Sequence, residues 1–207
     1  MAGTMSLADL VADLKESLHD SAKVFESVDD LAFRRFLSEA LPDMQWKRPR
    51  TLLGEISLQA SVPRYSLVGC PGFVAYKTHL WDAAKPLPWE HNYPGATPRV
   101  EAQRDGGNYW LCFDPAPSWK LIGTYGPSFR FYYFALHTLA VDAASTTVGE
   151  VDRGLLLLRA QANAMRELAM RNAGKAVQMR DGVSGTTRNS TPAALHELLL
   201  RLFQEAR

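Results

Sequence analysis

Apolar residues recur at helical spacing near both ends of the chain and at strand spacing in its middle. The helical spacing predicts helices over residues 6–19 and 30–41, and Pro42 is expected to end the second. A longer, alanine-rich helix is predicted over residues 152–173. Its buried stripe is expected to comprise Leu155, Leu158, Ala162, Met165 and Ala169, with Arg159, Asn163 and Arg166 on another face.

Strand signals fill the central segment. Apolar and polar residues alternate over residues 51–61, which predicts a half-buried strand, and a further strand is predicted over residues 73–81. The sequence RDGGN predicts a hairpin turn that leads into a strand over residues 109–113. Residues 82–108 contain four prolines, so we expect a long loop with little regular structure there. Loops of this kind are often binding sites.

The most aromatic stretch of the chain follows Pro115 and Pro117, which are expected to end the preceding strand. Five of the six residues from Phe129 to Phe134 are aromatic. As a strand, this stretch has two faces that are both apolar or amphipathic. We therefore expect both faces to be covered, one of them by the long helix.

The C-terminal segment combines a polar linker with a short amphipathic helix. Thr191 has the N-cap position and Pro192 the first helical position. One face of this helix carries Leu195, Leu198, Leu199 and Leu202. A leucine face on a helix that follows a flexible linker has two interpretations: the helix folds back on its own domain, or it docks in a groove of a partner.

Overall composition is that of an ordinary globular protein. The chain has 207 residues, 46% of them hydrophobic, and its formal net charge of +1 gives no general reason to expect nucleic-acid binding. The short basic cluster WKRPR, residues 46–50, is expected to be a solvated face, with contact to a phosphate backbone or an acidic partner as the alternative. No secretory signal peptide and no membrane-spanning segment is predicted.

Residues able to perform chemistry are scattered along the chain. The two cysteines, Cys70 and Cys112, lie outside any CxxC motif and are expected to be reduced, partly buried thiols. The five histidines form no zinc-binding pattern, and no phosphate-binding or nucleophile motif occurs. Glu90 and His91, with Asp82, form the best available acid/base group, but a solvated polar loop is the favoured interpretation. We therefore expect no catalytic site, no cofactor and no metal.

Three longer stretches carry a family resemblance by their order. They are RPRTLLGEISLQASVPRYSLVGCPGFVAYK, then YWLCFDPAPSWK with FRFYYFALH, and then GLLLLRAQANAMRELAMRNAG. The first is an amphipathic strand, a turn and a strand, the second a strand closed by Pro-x-Pro and then an aromatic strand, and the third a long alanine-rich helix. In this order they resemble the head-to-tail connector (adaptor) proteins of tailed bacteriophages, over most of residues 7–180.

The resemblance implies an α+β fold that is mainly α. A helical bundle would carry a small antiparallel β-sheet region, about residues 51–140, inserted between the N-terminal helices and the long helix. Residues 1–180 would form the adaptor core, and residues 181–207 a linker and an extended C-terminal docking arm. The family has no catalytic set, so the resemblance implies none here.

The resemblance also implies a structural role in the neck of a virion. About twelve copies would form a closed ring beneath the portal protein. A downstream tail or nozzle/stopper protein would bind on the other side, and genomic DNA would pass through the ring during ejection. The ring would assemble in the host cytoplasm, without a membrane.

Candidate contact residues follow from this implied assembly. The candidates for docking on the portal are Leu195, Leu198, Leu199, Leu202 and Phe203. The candidates for contact with a neighbouring subunit or the tail side are Trp89, His91, Tyr93, Trp119, Arg130 and Tyr132. The alternatives are another neck or tail-completion protein (a stopper or a tail terminator), a small enzyme that uses the 82–108 loop, and a host-encoded interaction module.

Overall fold

The chain forms two compact units, each with its own core. The computed structural model describes residues 5–26, 29–81, 86–91, 93–173 and 191–206. The helical unit comprises Met1–Arg48 and His137–Arg207, and the β unit comprises Pro49–Leu136. The predicted α+β class, with a β region between the N-terminal helices and the long helix, is confirmed. The predicted boundary between residues 180 and 181, and the linker around it, lie outside the described residues.

Helices and strands follow one another in a simple order. The elements are α1 (Leu7–Leu18), a 3-10 helix (His19–Val24), α2 (Leu31–Lys47), β1 (Arg50–Ser57), β2 (Arg64–Ser66), β3 (Phe73–Leu80), β4 (Arg99–Asp105), β5 (Asn108–Asp114), α3 (Trp119–Tyr125), β6 (Ser128–Ala135), α4 (Glu150–Ala173) and α5 (Pro192–Glu205). Helix α1 begins with reciprocal capping, since the Ser6 hydroxyl accepts from the Asp9 N–H at 3.2 Å and donates to the Asp9 carboxylate at 2.7 Å.

Helix α2 continues through Pro42 to Lys47, so the prediction that Pro42 ends it is wrong. Proline removes one backbone N–H and crowds the carbonyl four residues earlier. Apolar spacing nevertheless continues past it, because Met44 is fully buried in the same core as Phe36 and Leu37. Burial of the last turn offsets the lost hydrogen bond.

Helix α4 is buried over a wider face than the predicted stripe. Ala162 and Met165 are buried as expected, but Leu156, Ala160 and Asn163 are buried as well. Of the residues expected on another face, Asn163 is thus buried, whereas Arg166 is exposed. The physical reason is that α4 packs against both α2 and α5, so two of its sides are covered instead of one.

Two three-stranded antiparallel sheets make up the described part of the β unit, with strand orders β1-β6-β3 and β2-β5-β4. Strand β1 alternates between less and more exposed residues, which confirms its prediction as a half-buried strand. The RDGGN hairpin is also confirmed: Gly106 and Gly107 have φ values of 56° and 90° and join β4 to β5. These left-handed conformations favour glycine over other residues.

Two elements of the β unit were not expected from the sequence. Strand β4 lies within the 82–108 segment, so the prediction of little regular structure is wrong for Arg99–Asp105. It pairs with β5 along its whole length and turns Val100 and Ala102 inward, although charged residues dominate its sequence. Helix α3 follows Pro117, and its N-cap Ser118 accepts from the Leu121 N–H at 3.1 Å.

Strand β6 is the central strand of its sheet and buries every second residue: Phe129, Phe131, Tyr133 and Ala135. The residues that pack on this face, among them Phe113, Leu121 and Tyr125, belong to the β unit itself. This face of β6 is therefore covered from within its own unit, by rings whose centroids lie 5.0 Å apart for Phe113 and Phe129. Cover of one face by the long helix stays a prediction.

The chain enters and leaves the β unit beside a buried histidine. Nε2 of His137, the first residue after the unit, donates to the carbonyl oxygen of Arg48, the last residue before it, at 2.9 Å. Nδ1 of the same ring lies 3.2 Å from the carbonyl oxygen of Thr147. His137 is thus a buried histidine with hydrogen-bonding partners. Cys70 and Cys112 are free, half-buried thiols, and burial raises the pKa of Cys70.

Candidate functional site

Helix α5, which carries the candidate docking residues, lies against α4 in the helical unit. Its predicted cap is confirmed, since the Thr191 hydroxyl accepts from the Ala194 N–H at 3.2 Å and Pro192 follows as the first helical residue. Nδ1 of His196 donates to the carbonyl oxygen of Ala162 at 2.8 Å. Of the two interpretations left open by the sequence, folding back on the same chain describes this structure.

Of the five candidate docking residues, three pack against the helical unit and two are exposed to solvent. Leu195 and Leu199 pack against the core of the helical unit, and Phe203 is buried, with 5% of its surface exposed. Leu198 and Leu202 remain 47% and 45% exposed. The structure therefore leaves only the second pair accessible to another protein while α5 stays in this position.

Two cations hold the ring of Phe203. The Lys47 ammonium lies 5.3 Å from the ring centroid, and the Arg159 guanidinium lies 6.0 Å from it. Lys47 Nζ also donates to the carbonyl oxygens of Gln204 at 2.6 Å and Ala206 at 3.0 Å. Carbonyl groups at a helix C-terminus have no partner within the helix and carry partial negative charge, so an ammonium there is stabilising.

A polar network continues from Arg159 into the helical core. Its Nε donates to the Asp43 carboxylate at 2.7 Å, and its Nη1 donates to the Asn163 side-chain oxygen at 2.6 Å. The Asn163 amide nitrogen in turn donates to the carbonyl oxygen of Phe36 at 3.4 Å. Burial of Asn163 and of most of the Arg159 side chain is tolerated because each has a partner. The network joins α2 and α4 directly beneath the end of α5.

One member of the basic cluster WKRPR takes part in these contacts, so the expectation of a solvated basic face is wrong for Lys47, which is half-buried, and holds for Arg48, which is exposed. Lys47 binds the end of α5, as described above. The Arg48 guanidinium lies 3.6 Å from the Asp152 carboxylate at the start of α4. Trp46, by contrast, is almost fully exposed.

The other candidate contact residues lie in the β unit at three separate places. Trp89 and His91 are exposed in one turn, where the Glu90 N–H donates to the Leu87 carbonyl oxygen at 2.9 Å. Trp119 is exposed at the start of α3, and Tyr93 is half-buried. Trp89 and Trp119 are each 78% exposed, which is unusual for tryptophan in the absence of a partner.

Arg130 and Tyr132 share the outward face of β6 and are half-buried there. The pairing registers place Leu53 of β1 opposite Tyr132 and Leu80 of β3 opposite Arg130. Both leucines are about half exposed. The outward face of this sheet therefore combines a cation, a phenol and apolar side chains, a composition common at protein interfaces.

The alternative acid/base group is described only in part. Glu90 and His91 are exposed in their turn, and Asp82 lies outside the described residues. Within the described ranges, no three His, Cys, Asp or Glu side chains come together as a metal site. The absence of catalysis stays a prediction.

A half-buried pair that sequence reasoning missed is Tyr76 and His79 on β3. The Tyr76 hydroxyl hydrogen-bonds to Nδ1 of His79, and the His79 ring packs on Phe129 with centroids 5.2 Å apart. Burial raises the pKa of Tyr76 to about 12 and lowers the pKa of His79. Both groups are therefore neutral near pH 7, which suits a structural role.

Comparisons with known proteins identify no family for this chain. No protein-family model and no curated protein matches the chain. Among solved structures, a chain from the neck of a native GTA particle, computed with C12 symmetry, aligns over 91% of this chain and 86% of that chain. The TM-score is 0.29 and the sequence identity 13%; an alignment at this level assigns neither fold nor function. No described helix is both long and apolar enough to cross a membrane.

Proposed function

We propose that this protein is a structural component of a phage neck: an adaptor that forms a ring under the portal and joins the head to the tail. The observation that carries the proposal is the order of its parts. Two N-terminal helices are followed by an inserted β unit, a long helix and a separate amphipathic helix. This is the order that the resemblance to the adaptor family implies.

The exposed apolar side chains support an assembly through several surfaces. A subunit of a closed ring uses two different faces for its neighbours and further faces for the proteins above and below the ring. Exposed tryptophans lie in the β unit at Trp89 and Trp119, and exposed leucines lie on α5 at Leu198 and Leu202. In the proposal, α5 contacts the portal and the β unit contacts a neighbouring subunit or the tail side.

The proposed adaptor has no enzymatic turnover. Its ring, of about twelve copies, forms part of the channel through which DNA leaves the head. Its place is the virion, at the head–tail junction.

Negative-stain microscopy of the purified chain mixed with its cognate portal ring tests the proposal. We expect a second ring stacked on the portal. A chain that lacks residues 183–207 is expected to lose the α5 share of its helical circular dichroism, to keep the signal of its other helices, and to lose portal binding. A chain that stays monomeric and never binds the portal contradicts the proposal, whereas binding only to a preassembled portal–adaptor complex indicates a stopper.

The proposed division of roles has its own test. Trp89→Ala and Trp119→Ala are expected to weaken ring closure or tail-side binding without changing monomer stability, because both side chains are exposed. Trp46→Ala is the matched control, since Trp46 is equally exposed but lies in the helical unit. Equal effects of all three substitutions on assembly would remove the basis for assigning these contacts to the β unit.

A further inference from the structure

We propose that the free edge of strand β1 is a binding site for an extended segment of another protein, which adds to the β1-β6-β3 sheet as a fourth, antiparallel strand. The segment carries a basic, an apolar and an acidic residue at alternate positions, in that order from its N-terminus. The inference goes beyond the proposed function and does not depend on it, because every contact that supports it lies within the β unit.

Strand β1 is paired on one side only. Among the described residues it pairs with β6 along Arg50–Ser57 and with no second strand. Every second residue of a strand in an antiparallel pair points its backbone N–H and C=O away from the partner. On β1 these groups form a row at the edge of the sheet, and such a row can hydrogen-bond to a further strand.

The other three edge strands of the described sheets have features that hinder strand addition. Strand β2 has three residues, the register of β3 with β6 is shifted at two places, and four of the seven residues of β4 are charged. Short edges, bulges and charged edges all limit pairing with further strands. Strand β1, in contrast, has eight residues in unbroken register with β6. It is therefore the described edge on which a further strand fits best.

A groove lies along the same edge. Its volume is about 270 Å³, and it is lined by five consecutive residues of β1, 52–56, together with Cys70 and Tyr133. Leu52 and Ile56 pack against the buried core to which these two residues also belong. An apolar cavity of about 150 Å³ accommodates a benzene molecule, so the groove has room for an apolar side chain. Alternate residues of an added strand would point to this side of the sheet.

The outward side of the edge carries a cation, an apolar side chain and a carboxylate in sequence order. Thr51, Leu53 and Glu55 share this side, since alternate residues of a strand point the same way. The Lys77 ammonium donates to the Thr51 hydroxyl at 3.3 Å, and Leu53 is 52% exposed. Glu55 is exposed, and its carboxylate accepts from the Ser128 hydroxyl at 2.6 Å.

An antiparallel strand with the proposed pattern complements this order. Residues directly opposite each other in such a pair share a face, and opposite charges there are stabilising. From its N-terminus, the added strand meets Glu55 first, then Leu53, and then Thr51 with Lys77. Arg130 lies opposite Glu55 on β6, so a basic residue in the added strand places the carboxylate between two cations. The antiparallel direction continues both described ladders of this sheet and is the more stable one per residue.

A short peptide tests the site on the full chain. The probe is acetyl-Thr-Lys-Val-Leu-Val-Glu-Thr-amide, and its binding is followed by chemical-shift changes of the ¹⁵N-labelled protein. We expect the largest changes in β1 and around Cys70. A control peptide with Gln in place of Lys and Glu should bind roughly threefold more weakly, because two cross-strand charge pairs are lost. Absence of changes in β1 at millimolar peptide, or changes centred elsewhere, overturns the site.

Methylation of single peptide nitrogens tests whether the probe binds as a strand. One variant is methylated at the nitrogen of the central Leu, and another at the nitrogen of the Val before it. Neighbouring N–H groups of a strand point to opposite sides, so only one of the two faces β1. We expect one variant to bind at least about tenfold more weakly and the other to bind nearly as the probe does. Equal effects of the two methyl groups overturn strand addition.

An exchange of charges on the protein tests the order of residues in the segment. The chain with Glu55→Lys and Lys77→Glu should prefer a peptide whose Lys and Glu are exchanged over the original probe. Glu101→Lys is the control, because Glu101 is exposed on the edge strand β4 and the substitution changes the charge as Glu55→Lys does; this variant should keep the original preference. Circular dichroism and tryptophan fluorescence verify that each variant is folded. An unchanged preference in the exchanged chain overturns the charge pattern.

A second copy of this chain is the competing occupant of the edge. Sedimentation of the free chain, with and without Leu53→Lys, separates the two cases. If the free chain forms dimers that Leu53→Lys dissociates, and the probe does not bind, the edge is a contact between copies and the proposal is overturned. No portal takes part in these measurements, so their failure leaves the proposed function standing, and failure of portal binding leaves the strand site standing.

Discussion

Phe203 in the helical unit and Phe129 in the β unit are held in place by different contacts. In the helical unit, Phe203 lies between the ammonium of Lys47 and the guanidinium of Arg159. In the β unit, Phe129 packs against other rings, with centroids 4.9 Å away for Trp81 and 5.0 Å away for Phe113. The first arrangement depends on a few directed contacts at one helix end, and the second on mutual packing.

This difference determines how far a local change spreads. A cation that binds one ring and two carbonyl groups affects the helix that carries them. A ring in a continuous aromatic cluster supports neighbours on both sides, so its loss is felt across the whole unit. The four predictions below test this contrast. Tryptophan fluorescence reports mainly on the β unit, which holds Trp81, Trp89, Trp110 and Trp119, and far-ultraviolet circular dichroism reports mainly on the helices.

The largest effect is expected for Phe129→Ala. Phe129 is fully buried and touches several rings, so its removal should lower the free energy of unfolding of the β unit by about 3–5 kcal/mol. Urea unfolding followed by tryptophan fluorescence measures the change. Phe134→Ala, on the half-buried outward face of the same strand, should cost clearly less. Similar losses for both would show that the buried cluster has no special role.

A smaller effect is expected for Gly54→Ala in strand β1. A Cβ atom at this position would lie 2.7 Å from Cζ of Phe131, a ring that is itself packed between neighbours. Overpacking of this kind should cost about 1–3 kcal/mol, measured by the same fluorescence transition. Gly69→Ala is the control, because nothing lies within 4 Å of its added Cβ. Equal stability of the two variants would mean that the ring of Phe131 can move to accommodate the added methyl group at little cost in free energy.

Asn163→Ala probes the polar arrangement in the helical unit. The amide is 2% exposed and bridges Arg159 to the carbonyl oxygen of Phe36. Its loss should destabilise the helical transition by about 1–2 kcal/mol and leave the fluorescence transition unchanged. Arg166→Ala, an exposed residue whose guanidinium lies 3.6 Å from Glu39, should change stability very little. A shift of the fluorescence transition by Asn163→Ala would contradict separate responses of the two units.

The smallest effect is expected from pH. Burial lowers the pKa of His79 below its ordinary value of 6.5. The unfolded chain therefore binds a proton there more readily than the folded chain. The β unit should keep its full stability above about pH 6.5 and lose some as the pH falls through the lowered pKa. His79→Gln, which retains an acceptor for Tyr76, should reduce the pH dependence of the urea midpoint in the fluorescence transition. An identical pH dependence in the variant would rule out His79 as its source.

The parts of the fold that were predictable are those with a local period. The stripes of α1 and α5 and the alternation of β1 and β6 depend only on which residues are apolar, so the sequence indicates them directly. Pro42 and β4 were mispredicted because tertiary contacts override a local signal: buried Met44 carries α2 onward, and pairing with β5 orders a charged strand.

The contacts of the candidate site were less predictable. Lys47 was assigned to a solvated face, as long charged side chains usually are, and Arg159 only to a face of the long helix other than its predicted buried stripe. Both cations contact the ring of Phe203, which lies far from them in the sequence. This contact depends on where α5 packs, and the spacing of residues within one helix does not predict that. Thr191 and Pro192 mark the start of α5 by their local chemistry, whereas the side that α5 covers follows from the whole helical unit.

The hydrogen bond from His137 to Arg48 has a consequence for how such a protein changes over generations. The entry and the exit of the β unit meet at one imidazole, although 89 positions separate them in the sequence. When a segment begins and ends at neighbouring points in the fold, it can be lengthened, replaced or lost while the surrounding helices keep their packing. That makes the β unit an exchangeable cassette: a lineage can alter it and leave the fold of the helical unit as it was.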